Sequence, residues 1–290
     1  MKTIGLLFAA LLISLGVMMM RDQISTPTTT PSHSESAYDR VMRTGTLRCG
    51  YADWPPIVFY KNMQTGKLSG IAYDLTEELG KRLNLKIEWA EDTSWSNIIS
   101  GLQSKKMDAF CAMLGVTAER GRYVTYSVPV LFSPAFPFVR EDDRRFDDDI
   151  MAANDPSVRF SSIDGEMSDS IARNRFPKAK VNAVPQTLQV SESLNNIVTN
   201  KADIIIVDYG FGQSFIDNNP GTLRRIGDKP FAVVQGSYAF DLHETMLRDM
   251  INSALVEMQN HGIIDQIIAK YTSDPLEILQ PAQGYKNILP

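Results

Sequence analysis

The chain has 290 residues, 43% hydrophobic and 22% charged, with a net charge of -5. That length fits one large domain or two ordinary lobes, with enough core to need no covalent staples. The acidic balance without a basic stripe argues against nucleic acid. Three His and two Cys leave little for a metal site, and no cofactor is expected.

Lys2 precedes an apolar run over residues 4–20, with Arg21 after it. Residues 1–24 therefore read as a secretory signal peptide or an uncleaved signal-anchor. No Cys lies near enough for a lipid attachment site. Either way the main body is exported. Residues 25–38, rich in Ser, Thr and Pro, read as a flexible linker. Strand and helix patterns then alternate. Leu47 to Tyr51 is a short strand that runs into the loop Asp53-Trp-Pro-Pro56. Asp74 and Glu77 have capping-box spacing, and Leu75, Leu79 and Leu83 make a helical stripe. Leu85 to Ala90 is a strand, Trp95 to Gln103 a helix behind Thr93 or Ser94, and Met107 to Leu114 another strand. This βαβαβ order predicts a parallel sheet covered by helices, with ligands beyond the C-terminal strand ends. Cys49 and Cys111 sit far apart in apolar runs and are expected as buried free thiols rather than a disulfide.

Gly115, Thr117 and Arg120 follow the third strand, where Thr117 can cap a new helix. An Arg in a first helical turn opposes the helix dipole unless an anion lies between them. The guanidinium fork fits a carboxylate, and helix-start N–H groups add donors. The segment reads as a carboxylate trap, or as an Arg in a surface ion pair with Glu119 or Glu91. Trp54 and Trp95 fall at strand ends too, either as pocket walls or as core.

Residues 128–139 are extended and Pro-rich, which suits a segment crossing between lobes. A second α/β series follows. Val158 to Ile163 is a strand, Gly165 a turn, and Ser168 to Phe176 and Leu188 to Thr199 are helices. Ala202 to Asp208 is a buried strand that ends in a carboxylate. Asp208 can cap the helix near Tyr209 or meet a ligand. Residues 231–240 look like a return crossing. Leu242 to Asn260 is amphipathic, with Met246, Met250, Leu255 and Met258 expected in the core, and Gly262 ends it.

From Val41 to Thr272 the pattern resembles the type II periplasmic solute-binding proteins, family 3, which bind polar amino acids for ABC transporters. The resemblance rests on Gly45-Thr-Leu-Arg-Cys-Gly50, the Trp-Pro-Pro loop, Gly70-Ile-Ala-Tyr-Asp-Leu75 and the segment Trp95 to Leu102. Lys106-Met-Asp108, Thr117-Ala-Glu-Arg120, Lys201-Ala-Asp203 and Val207-Asp208 complete it. The resemblance implies two α/β lobes joined by two crossing strands, lobe I being residues 39–133 with 236–290 and lobe II residues 134–235. It implies that Arg120 grips a ligand α-carboxylate, helped by the backbone of Thr117 or Gly115, and that Asp208 receives the α-ammonium. Trp54 and Trp95 would wall the side-chain pocket, and Gly165, Glu166 and Met167 would reach in from lobe II.

Relatives usually carry Ser or Thr at Gly115, and often Ser, Ala or Gly at Met113. The missing hydroxyl removes a hydrogen bond worth ~1 kcal/mol and leaves room for a bulkier guest. The expected function is an exported binding protein, not an enzyme, that delivers a small zwitterion to an ABC permease from the periplasm. The alternatives are an exported cyclohexadienyl-dehydratase-like enzyme, with Glu166 as general acid, and a membrane-tethered sensory binding protein.

Overall fold

The computed structural model describes residues 35–274 and 276–281. The signal or anchor segment 1–24, with its apolar run 4–20, and residues 25–34 of the linker lie outside the described residues. Helix α1 (Ala37–Thr44) starts inside the segment read as linker. The Ser36 hydroxyl caps it by accepting the Asp39 N–H at 3.0 Å, and Gly45 ends it in the left-handed region.

The first half continues through β1 (Thr46–Tyr51), β2 (Phe59–Asn62), β3 (Lys67–Ser69), α2 (Ile71–Leu83), β4 (Lys86–Asp92), α3 (Ile98–Gln103), β5 (Ala109–Gly115) and β6 (Val124–Tyr126). After these come β7 (Leu131–Arg140), β8 (Arg159–Ile163), α4 (Met167–Arg175), β9 (Lys180–Val184), α5 (Val190–Val198), β10 (Ile204–Asp208), α6 (Tyr209–Asn218) and β11 (Leu223–Arg225). β12 (Ala232–Asp241), α7 (Thr245–Asn260) and α8 (Ile263–Ile268) complete the order.

The main sheet runs β4-β1-β5-β12-β7-β10-β8-β9, with β6 on β12 and β11 on β7. β4, β1 and β5 are parallel at one end, and β10, β8 and β9 are parallel at the other. The long strands β7 and β12 join the two blocks, antiparallel to each other from Ala135 opposite Ala232 to Leu131 opposite Gly236. These are the two expected crossing segments. Each also pairs with a block, β12 with β5 and β7 with β10. The fold is α/β, two lobes joined by two crossing strands.

Burial follows the sequence pattern. β10 is apolar at every position but its last because both faces are covered. Ile204 and Ile206 pack with Phe160 and Phe176 on one side, and Ile205 and Val207 with Phe136, Phe138 and Leu194 on the other. The first half has its own core around Leu47, Leu75, Leu79, Phe110, Tyr238 and Leu255. Behind each block, an Asp just before a strand is locked to arginines. Asp108 accepts the Arg48 N–H at 2.8 Å and is also bonded by the Arg40 and Arg48 side chains. Asp203 accepts the Arg159 N–H at 2.9 Å and pairs with Arg140, Arg145 and Arg159.

Four expectations are corrected. Cys49 and Cys111 form a disulfide, with Cα atoms 5.6 Å apart across a sequence separation of 62. Parallel pairing of β1 with β5 makes neighbours of residues that the sequence keeps distant. Helix α2 starts at Ile71, so Asp74 lies inside it and no capping box forms. Its N-cap, Gly70, has φ +127°, and a Cβ there would come within 2.4 Å of the Ile57 carbonyl oxygen, so only Gly fits. The segment after Thr117 is a single 3-10 turn over Arg120–Arg122, not a longer helix. On α7 the buried stripe is Leu247, Ile251, Ala254, Leu255 and Met258, whereas Met246 is 60% exposed. One residue of offset turns a side chain by about 100°, which carries Met246 off the inward face.

Candidate functional site

The parallel blocks bring five strand ends to one cavity. Trp54 follows β1, Trp95 follows β4, Gly115 ends β5 and Thr117 and Arg120 follow it; Glu166 and Met167 follow β8, and Asp208 ends β10. The cavity measures about 110 Å³ and is lined by Trp54, Trp95, Met113, Gly115, Thr117, Arg120, Glu166, Met167 and Asp208, among others. That is several times the space one water needs. Nine of the ten residues expected at the site thus border one space. Gly165 does not. It sits at φ +68° in the turn before α4 and borders a neighbouring recess with Glu119 and Gln186.

Arg120 is only 8% exposed. Its Nη1 donates to the Gly115 carbonyl at 3.2 Å, and its backbone N–H donates to the Thr117 hydroxyl at 3.2 Å. Gly115 and Thr117 therefore act as acceptors that fix Arg120. Its Nη2 donates to Glu166 Oε1. This ion pair comes from the opposite lobe, not from Glu119 or Glu91. Burial raises the Glu166 carboxyl above its ordinary value, and the charge of Arg120 only partly offsets that. The buried Tyr126 hydroxyl stands beside this pair with no hydrogen-bond partner among the described residues.

Asp208 does cap α6, since its Oδ1 accepts the Gly210 N–H at 3.0 Å. The capping and ligand readings are compatible, because one oxygen serves the helix. The other, Oδ2, is shut from solvent and has no hydrogen-bond partner among the described residues. Ser133 lies beside the carboxyl, close enough to favour its charge but outside hydrogen-bonding geometry for Oδ2. Burial pushes Asp208 up to about 6, against the opposing pull of Ser133 and the Gly210 and Phe211 N–H groups. Nearby Glu277 adds to the rise.

Aromatic rings complete the walls. Trp54 stacks on Phe211 with centroids 5.6 Å apart and planes 8° from parallel, and it meets Trp95 edge-on at 5.6 Å. Phe211 follows β10, so Trp54–Phe211 and Arg120–Glu166 both join the two parallel blocks. The sequence reading missed Phe211, Ser133 and Gln235, which also line the cavity. Phe211 stands three residues past a strand-end carboxylate, a signal that was available. Ser133 and Gln235 lie on the crossing strands, where nothing local marks a pocket-facing residue. Met113 holds φ +64° within β5, an uncommon conformation for a side chain of its size. It lies in an irregular stretch of the β5–β12 pairing and borders the cavity.

This chain belongs to the bacterial extracellular solute-binding proteins, family 3, whose model matches residues 47–274. Among its relatives, a probable histidine-binding protein of Campylobacter jejuni is 27% identical over 247 residues, covering 81% of this chain and 88% of that one. A probable amino-acid ABC transporter-binding protein of Haemophilus influenzae is 25% identical over 248 residues, again covering 81% and 88%. The crystal structure of an ancestral amino acid-binding protein, described as a precursor of cyclohexadienyl dehydratase, superposes with a TM-score of 0.67 at 25% identity. It covers 82% of this chain and 99% of that one. Among the described residues no helix is long and apolar enough to cross a membrane, and no cluster of His, Cys, Asp and Glu is arranged to hold a metal ion.

Proposed function

We propose that this protein clamps an amino acid or an amino-acid-like small molecule between its lobes and delivers it to an ABC transporter permease, without chemistry. The reading is carried by one observation: Arg120 after β5 and Asp208 at the end of β10, opposite in charge and from different parallel blocks, border the same cavity. A zwitterion needs one partner of each sign, and only the closed arrangement supplies both. Oδ2 of Asp208, unpartnered among the described residues, is the acceptor an ammonium requires. The lobes divide as residues 39–133 with 236–290 and residues 134–235, and β7 and β12 serve as the hinge. The disulfide supports an oxidising compartment, hence the periplasm, with residues 4–20 either removed or kept as an inner-membrane anchor. Osmotic-shock release against detergent extraction separates those fates.

Calorimetric titration and thermal shift with single amino acids test the binding role. A ligand at 100 times its Kd adds ~2.7 kcal/mol of stability. Arg120→Ala and Asp208→Ala should each weaken binding roughly 100-fold, the scale of losing charge-assisted hydrogen bonds. Full affinity in either variant removes that residue from the site.

A second reading rests on Glu166. A half-buried carboxyl raised above its ordinary value beside the cavity is suited to general-acid work. Turnover of prephenate or arogenate by the purified protein would establish it, and Glu166→Gln should then abolish turnover.

A further inference from the structure

Three charged side chains line the cavity among the described residues: Arg120, Glu166 and Asp208. They sum to one negative charge, and Glu119 in the adjoining recess and Glu277 near Asp208 deepen it. A zwitterionic guest, as proposed above, brings one charge of each sign and leaves that sum unchanged. Its carboxylate must also either take Arg120 from Glu166 or share it. In both cases the carboxylate of Glu166 loses compensation while its side chain stays only 22% exposed. A buried charge separated from its partner is strongly unfavourable. A guest with a further cationic group restores the balance. Trp54, Trp95 and Phe211 line the same cavity and give the guest's side chain an aromatic wall.

We propose that Glu166 selects the ligand, holding Arg120 until a carboxylate replaces it and then pairing with a cationic side chain, so that the pocket prefers basic amino acids over neutral ones. The inference rests on the amino-acid-binding reading. It assigns to Glu166 a specificity that the Arg120–Asp208 pair cannot supply, since those two read only the α-substituents common to every amino acid.

Matched ligands test it. Arginine and citrulline share a shape and differ in charge, as do lysine and norleucine. By titration calorimetry the wild-type protein should prefer the cationic member of at least one pair by about tenfold or more, the scale of one hydrogen bond to a charged group. Glu166→Gln should narrow that ratio to about threefold or less and should bind the neutral member more tightly than wild type does, because the tethered competitor is gone. Glu166→Asp keeps the charge and should retain most of the preference, which a purely structural role would not predict. The wild-type comparison needs no variant, so it stands even if Glu166→Gln folds poorly. A neutral amino acid bound as tightly as its basic counterpart, or a ratio unchanged in Glu166→Gln, overturns the inference and leaves the binding function intact. Failure of every amino acid to bind overturns both.

Discussion

The two ends of strand β10 carry aspartates in opposite circumstances. At its start, burial pushes the Asp203 carboxyl up, but hydrogen bonds from Arg159, Arg145 and Arg140 outweigh it and hold the group below the usual carboxylate range. At its end, Asp208 has one oxygen on a helix N–H and one without a partner among the described residues, and burial leaves it at about 6. The other lobe repeats the division on β5. Asp108 before the strand is fixed by Arg40 and Arg48, and Arg120 after it faces the cavity. Charge at the N-terminal strand ends is satisfied by arginines of the same block, while charge at the C-terminal ends borders the cavity, where Arg120 pairs with Glu166 from the other block. In the proposed function the same chemistry would stabilise in one place and recognise in the other, according to whether its partner belongs to the chain.

Removing the staple behind the first block should have the largest effect. Replacing Cys49 and Cys111 together by Ala frees a long loop of the unfolded chain and should reduce stability by about 4 kcal/mol in the chain-entropy view. Ligand affinity should hold, because neither residue reaches the cavity; urea unfolding and calorimetry read the two separately. Next comes Asp203→Ala. It should lower stability by about 3 kcal/mol, since three arginines lose their common partner, again with affinity intact in the folded protein. A loss of affinity comparable to that of Asp208→Ala would erase the contrast between the two strand ends.

Asp208→Asn should act in the reverse sense. The folded state raises this carboxyl from 3.8 to about 6, so it binds a proton more readily folded than unfolded. Stability from this group is therefore full below about pH 4 and is lost as pH rises through about 6. Above that, the ionised carboxylate costs on the order of 3 kcal/mol, which Asn avoids. The variant should gain roughly 1–3 kcal/mol at pH 8 and almost nothing at pH 4, while binding its ligand poorly. Asp203 has the opposite sign, its contribution fading as pH falls below about 4. Denaturant melts of both variants across that range decide the matter, and a destabilised Asp208→Asn at pH 8 would contradict the assignment. The smallest effect falls on Trp54→Ala. Losing its stack on Phe211 should weaken ligand binding by about 1 kcal/mol beyond the area effect, measurable as a several-fold rise in Kd.

The sequence by itself determined the alternation of strand and helix, the two blocks, the crossing segments and the charged and tryptophan residues of the cavity wall. These are local signals. Apolar runs, glycine turns and charged residues just past strand ends are set by neighbours in the chain, and a parallel sheet gathers such ends on one side. Only the tertiary structure decided which distant residues meet. It joined Cys49 to Cys111 through strand pairing, set Phe211 against Trp54, and placed Glu166 rather than Glu119 or Glu91 on Arg120. It also shortened the expected Thr117 helix to one turn and started α2 at Ile71, just after Gly70, where backbone approach to Ile57 leaves no room for a side chain. Each of these depends on separations in space that the order of residues does not encode pair by pair. They emerge when burial of both sheet faces fixes the register of strands far apart in the chain.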